Sequence, residues 1–292
     1  MLELPFHALT DPLRLADWLE LYALTSPDHN SSRGDLESAL RTAALAELSD
    51  SEAIEQKILE VLDELEQRVS AARQAYPFDL DDRGVLRLRS KTWEDYPAYT
   101  FCLCLSYFHV NGSSSPTRLF EQVSCVAAKG YLGGDAIRFG SPRTELPSAF
   151  PAAVTEMCNR IGEGLGFREQ SSLRRQDDGL DLVAWKDFID ERPSKILLFG
   201  QCASGRNWED KLGDLQPEAF CDQWLVEPPV SPSPVKSFFI PHRVEGRKWA
   251  FVARKAGILF DRCRIAFWAH QEGASYDSCI SWTRKQLARV VV

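Results

Sequence analysis

Two apolar runs lying close together in the chain, GLDLVAW over residues 179–185 and KILLFGQC over residues 195–202, set the tightest limit on its architecture. Each is too short for an ordinary helix, and each is apolar on both sides of its polar residues. A strand with one buried face alternates along its length, whereas a strand covered on both faces does not. The pair therefore predicts neighbouring central strands of a helix-covered sheet, joined by the loop DFIDERPS. Around them, RLFEQVSCVAAKGYLGG reads as an amphipathic helix ending at Gly133-Gly134, DAIRFGSP as a strand and FPAAVTEMCNRIGEG as a helix. SGRNWEDKLGDL resembles a helix start, PPVSPSP a surface loop, SFFIPHR and GILFDRCRIAFW two more strands, and SYDSCISWTRKQLARVVV a closing helix. The expected order from Leu119 onward is α-β-α-β-β-α-β-β-α, a mixed α/β (α+β) domain.

Residues 11–72 carry helical periodicity instead: DPLRLADWLELYAL opens on Asp-Pro, and SEAIEQKILEVLDELEQRVSAARQ repeats apolar residues at three and four. SPDHNSSRG reads as a polar loop, YPFDLDDRGVLRLRS as two short strands about Asp-Asp-Arg-Gly, and DYPAYTFCLCLSYFHV as a buried helix. NGSSSPT (residues 111–117) breaks the chain, dividing it into an acidic, mainly helical region, 1–115, and an α/β domain, 116–292.

Net charge is −8, and it is unevenly divided: residues 1–115 hold 10 Lys/Arg against 20 Asp/Glu, residues 116–292 hold 24 against 22. That balance argues against nonspecific nucleic-acid binding by the chain on its own, since phosphate contacts supply most of such affinity. A local basic face on the C-terminal part is not excluded, and the acidic helices offer a docking surface for partner proteins. The eight cysteines show no paired C-x-x-C knuckles and read as reduced core thiols, with Cys102 and Cys104 splayed apart on a helix. The start of the sequence lacks the pattern of a secretory leader and no segment has the length of a membrane span, so the expected location is cytoplasmic.

The chemistry gathers at the two central strands. Asp181 opens the first, just after Asp177-Asp178-Gly179, and Gln201 ends the second. Adjacent strands thus deliver two oxygen-bearing side chains near one point, as a hard divalent cation requires, with water and a substrate phosphate filling the remaining positions. A bound metal would lower the pKa of its water and neutralise charge on phosphorus. The bland alternatives are a turn aspartate, since Asp-Gly suits a turn, and a hydrogen-bonded core amide.

A helix carrying Glu, then D-G-x-D with an apolar strand, then an apolar strand ending in Gln, resembles the PD-(D/E)xK restriction-endonuclease-like nucleases, in particular Gln-containing relatives of bacterial restriction and anti-phage defence. The resemblance covers roughly residues 116–215. It implies a restriction-endonuclease-like mixed-sheet core and Mg²⁺- or Mn²⁺-dependent hydrolysis of DNA phosphodiesters within a defence complex of other protein subunits. Asp181 and Gln201 would hold the metal with Glu121 from the preceding helix, Glu163 being the competing choice. The family's motif lysine is replaced by Ala203. Lys186 on the preceding strand or Lys211 on the following helix would then stand in for it, or the metal alone would activate water. A site without reaction, leaving a scaffold or sensor subunit, is the other expectation.

A basic stretch around FFIPHRVEGRKW contains Arg243, Arg247, Lys248, Arg254 and Lys255 with Trp249 and Phe251 interleaved, and is the expected phosphate-contacting face, an exposed solvated hairpin being the plain alternative. Cys202 or Ser204 as a nucleophile would need His109, His242 or His270 beside it. Gly162-x-Gly164-x-Gly166 lacks the strand before and the helix after that a dinucleotide loop requires.

Overall fold

The computed structural model describes residues 2, 4, 9–43, 51–108, 114–169, 178–229 and 232–290. The expected mixture of helix and sheet is present, with a helical N-terminal region. Helix α1 (Pro12–Thr25) begins where Asp11 accepts a hydrogen bond from the Leu13 amide at 3.0 Å, with proline next to the cap where its missing N–H costs nothing. Helices α2 (Arg33–Ala43) and α3 (Ser51–Ala72) follow, and α3 buries Ile54, Ile58, Val61 and Leu65 at helical spacing. Against α1 packs a small antiparallel sheet of β1 (Asn30–Ser32), β2 (Phe78–Leu80) and β3 (Val85–Leu88), in the order β1-β3-β2. Strand β1 lies inside the polar stretch SPDHNSSRG, which pattern alone marks as loop. Helix α4 (Pro97–Phe108) buries nearly all of its circumference, and its two cysteines enter different clusters, Cys102 one and Cys104 another.

The main sheet is assembled from β4 (Asp135–Arg138), β5 (Leu182–Trp185), β6 (Leu197–Cys202), β7 (Val235–Phe239) and β8 (Ile258–Phe260), in that spatial order. The first two pairings are antiparallel and the last two parallel. Every residue of β5 and β6 is buried, which explains their unbroken apolar character. Leu182, Ala184 and Leu198 face a cluster with α4, α5 (Ser114–Leu132) and the later helix α9 (Arg262–Gln271). Val183, Leu197 and Phe199 face the opposite cluster with α6 (Phe150–Ile161) and α7 (Pro217–Trp224). Each large apolar side chain so buried contributes about 1.5–3 kcal/mol.

Three further elements differ from the pattern reading. α7 replaces an unassigned stretch, helix α8 (Gly246–Ala256) occupies the basic stretch for which a solvated hairpin was the plain alternative, and the residues after Phe260 form α9 where a strand was expected. The alternation in RCRIAFW suggests a strand, but the Asp261 side chain accepts from the Arg264 amide at 3.1 Å and starts a helix there. Helix α10 (Asp277–Ala288) closes the fold. Among the described residues no helix is long and apolar enough to cross a membrane.

The N-terminal helices and the C-terminal part share a buried charge network. Arg68 of α3, fully buried, donates to Asp17 at 2.7 Å, Glu20 at 2.9 Å and Glu64 at 2.7 Å. Arg262, at the start of α9, reaches Asp17 at 2.5 Å, while Arg243 pairs with Glu64 at 2.9 Å and with Asp261. The hydroxyls of Tyr76 and Tyr99 both donate to Glu20. Burial works against the Arg68 charge, yet Glu20, Asp17 and Glu64 outweigh it and raise its pKa well above the ordinary value. Burial likewise opposes ionisation of Asp17, and Arg262 and Arg68 overturn it and hold that carboxyl below its usual range.

His242 lies beside this network, buried, with Nδ1 2.8 Å from Ser106 Oγ and Nε2 3.1 Å from the Gly205 carbonyl. A carbonyl only accepts, so Nε2 carries the proton and Ser106 donates to Nδ1. Burial lowers the His242 pKa to about 4. The unfolded chain titrates near 6.5, so it binds a proton between pH 6.5 and 4 that the folded chain does not. Stability is complete above that window and falls by about 3 kcal/mol on acidification across it. Urea unfolding at pH 7 and 5 is expected to give a smaller loss in His242→Gln than in the native protein; equal losses would assign the acid sensitivity elsewhere.

Candidate active site

Asp181 sits where the antiparallel ladder between β5 and β6 ends. Leu182 pairs with Gly200, which puts Asp181 across from Gln201. The Asp181 amide donates to the Gly200 carbonyl at 2.9 Å, and one carboxylate oxygen accepts from the Cys202 amide at 2.7 Å. The aspartate therefore fastens the strand end with its side chain, and the other oxygen is turned toward Gly140. A Cβ placed on Gly140 would stand 3.2 Å from Asp181 Oδ1 and 2.6 Å from Glu121 Oε2. Carboxylates from α5 and from the head of β5 thus converge on one glycine lip, which tolerates no side chain without displacing Glu121.

Arg138 completes the lip, a cation that pattern reading missed. It lies at the end of β4 and is buried, with Nη1 2.5 Å from Glu121 Oε2 and 2.8 Å from the Gly140 carbonyl, and Nη2 donating to the Pro142 carbonyl. Its signal in the sequence is weak: a single arginine closing a short strand, before Phe139 and Gly140. Two carboxylates with one guanidinium leave the lip one negative charge in excess.

Gln201 turns its amide toward Asp214, donating at 3.4 Å, and its Oε1 is buried without a hydrogen-bond partner among the described residues. A buried acceptor left in that state costs about 1–3 kcal/mol, which a cation or water at that atom would recover. Lys236 of β7 stands nearby, donating to the Leu212 carbonyl at 2.7 Å; burial lowers its pKa, with Asp214 opposing. Neither Asp214 nor Lys236 carries a motif that would have singled it out.

Other expected residues lie elsewhere. Lys186 follows the opposite end of β5, its Nζ 3.4 Å from the Cβ position of Gly133, about 16 Å along the strand from Asp181. Strand direction alone removes it from the site. Glu163 is also at that far end, where its carboxylate accepts from the Ser194 and Lys195 amides at 2.9 and 3.4 Å and braces the loop between β5 and β6. Lys211 is exposed in the turn Trp208–Lys211, and Ala203 packs against Trp208 and Leu212 in an apolar cluster. Arg243 is committed to Glu64 and Asp261 and contributes no phosphate-contacting face, whereas Arg247, Lys248, Arg254 and Lys255 are exposed on α8. Asp178 is the turn aspartate, at φ +52°, and accepts from the Trp224 indole at 2.8 Å; Asp177 lies outside the described residues.

Of the expected bases, His242 comes up beside Ser204 only through the Gly205 carbonyl, to which its ring nitrogen lies 3.1 Å away. Burial first, then the negative charge of Asp181 and Glu121, pushes the Cys202 thiol well above its usual pKa, so it stays protonated. His242 engages Ser106 and Gly205, His270 stacks on Tyr96, and His109 lies outside the described residues.

Among the described residues no group of three or more His, Cys, Asp and Glu stands ready for a metal ion. The oxygen set at the lip is two convergent carboxylates, and a hard cation such as Mg²⁺ asks for one or two carboxylates with water in the other positions. Gln201 shares the face of Phe199, opposite the α5 side that carries Glu121, and turns to Asp214, so the expected third ligand is not brought to the lip. On donor chemistry the residues fit. Comparison with protein-family models, with curated protein sequences and with solved structures finds no match for this chain.

Proposed function

We propose that the protein is a Mg²⁺- or Mn²⁺-dependent nuclease of the restriction-endonuclease-like kind, acting on DNA as one subunit of a bacterial anti-phage or restriction assembly. The observation that carries the proposal is the convergence of Asp181 and Glu121 on the Gly140 lip. The mixed sheet behind them supports it. Asp181 and Glu121 would hold the metal, with water in the remaining positions. When bound, the metal supplies a water of lowered pKa and neutralises charge on the phosphate. Arg138 holds Glu121 in place and sets the charge of the lip. The acidic helices of the N-terminal region would meet the other subunits, away from the site.

Ala203 and the Arg138–Glu121 ion pair favour a second reading, a scaffold or sensor subunit with the nuclease fold and no reaction. The discriminating experiment incubates the purified protein with linear, supercoiled and single-stranded DNA and with RNA, in Mg²⁺, Mn²⁺ or EDTA. Metal-dependent cutting establishes the nuclease. Intact substrates throughout, with partner subunits added, transfer the assignment to the scaffold.

A further inference from the structure

Helix α8 carries a feature that the carboxylate lip does not use. Its residues 246–256 contain no acid, and only Val252 and Ala256 are buried, against Phe238, Ile240 and Leu259 of the sheet layer. On the solvent side stand Arg247, Lys248, Phe251, Arg254 and Lys255, all exposed, with Lys248 and Lys255 at the edge of the seam. Spacings of three, four and seven place these five on one face, with the ring at the centre of four cations. Phe251 is 61% exposed, and Lys255 Nζ lies 4.6 Å from its ring centroid. Beside it Trp249 carries the Arg264 guanidinium at 4.5 Å. Of these cations only Lys248 is paired with an acid among the described residues, lying 3.8 Å from Glu245.

A cationic face of this kind on a chain of net charge −8 selects a polyanion. A membrane surface is the weaker partner, because the apolar seam of the helix is spent on the sheet and one ring remains to enter a bilayer. Duplex nucleic acid is weaker too, since its bases are already stacked and offer the ring no face. An unpaired strand offers both phosphates and free base faces, and the basic face runs about 12 Å along the helix, enough to follow two or three nucleotides. We propose that α8 is a platform for single-stranded nucleic acid, with one base stacked on Phe251 and the flanking phosphates on Arg247, Lys248, Arg254 and Lys255. This deepens the nuclease reading by naming the strand state of the substrate, and its charge pattern is independent of the carboxylate lip.

The test is fluorescence anisotropy in EDTA, where no cleavage intervenes, using labelled oligothymidylate, the corresponding oligouridylate, a duplex of equal length, and vesicles of phosphatidylserine and phosphatidylcholine. The native protein is expected to bind single strands more tightly than the duplex, and to weaken by about 15–60-fold between 50 and 200 mM salt if three or four phosphates are engaged. Phe251→Ala is expected to weaken single-strand binding at least about fivefold and to leave duplex binding unchanged. The double variant Arg254→Glu with Lys255→Glu is expected to abolish both. All three positions are exposed, so unaltered melting temperatures will show that the fold is kept. No binding to single strands, equal or tighter binding to the duplex, an unaffected Phe251→Ala protein, or binding to vesicles alone would each overturn the proposal. Binding without any cleavage would leave this platform standing and remove only the nuclease reading.

Discussion

Arg68→Met is expected to destabilise the protein by about 3–5 kcal/mol, the usual result of stripping a buried ion pair of one partner. Methionine fills the space of the arginine stem but leaves Asp17, Glu20 and Glu64 facing one another with only Arg262 and Arg243 to balance them. For a chain of this size the loss corresponds to a fall in Tm of roughly 6–15 °C. A pH signature separates this from simple loss of packing. Arg262 and Arg68 hold the Asp17 carboxyl below its usual range, and Arg68 and Arg243 do the same for Glu64, in each case against burial. Stability from these groups is present above the unfolded carboxyl pKa and is lost as pH falls through the depressed folded values. In the variant those carboxyls protonate more readily. The deficit against the native protein is therefore expected to narrow as pH falls from 7 toward 4.5. A constant deficit across that range would mean that the arginine acts through its bulk.

Asp181→Asn and Glu121→Gln are each expected to lower metal-dependent cutting on the order of 100- to 1000-fold, the scale on which losing one preorganised charge-stabilising group is felt. Both replacements keep a local acceptor: the asparagine for the Cys202 amide, the glutamine for the Arg138 guanidinium. Melting temperatures should accordingly stay close to native. Gly140→Ala is expected to impair cutting without removing any ligand, because its Cβ would press on Glu121 Oε2 from 2.6 Å. Folded variants that cut at the native rate would remove the lip from the mechanism.

The central sheet was legible because burial on both faces leaves no room for alternation, and β5 and β6 are written in that pattern. The same logic misled at Arg262, Arg264 and their neighbours. An arginine that pairs with Asp17 in the interior looks, in sequence, like one that faces water. α8 and α9 depended on local signals of another kind, the Asp261 cap and Gly257 at φ +72°, which apolar periodicity does not weigh. Asp181 and Glu121 were legible as candidates because each opens or rides an element with a clear pattern. Arg138 was not, since a strand-end arginine declares itself only once the helix above it is placed. The position of Lys186 followed from strand direction, which a motif spacing does not encode.

The contact between Asp17 and Arg262 spans 245 residues. On a ribosome adding about 5–20 residues per second, the carboxylates of α1 wait roughly ten to fifty seconds for that guanidinium to be made. Until Arg243 is made, α1, α3 and α4 have only Arg68 of this network to balance Asp17, Glu20 and Glu64, and the seam that α9 later covers stays open to other chains. The last third of the message therefore decides when the first third becomes native, and translation pauses ahead of Arg262 would lengthen the exposure of the earliest helices.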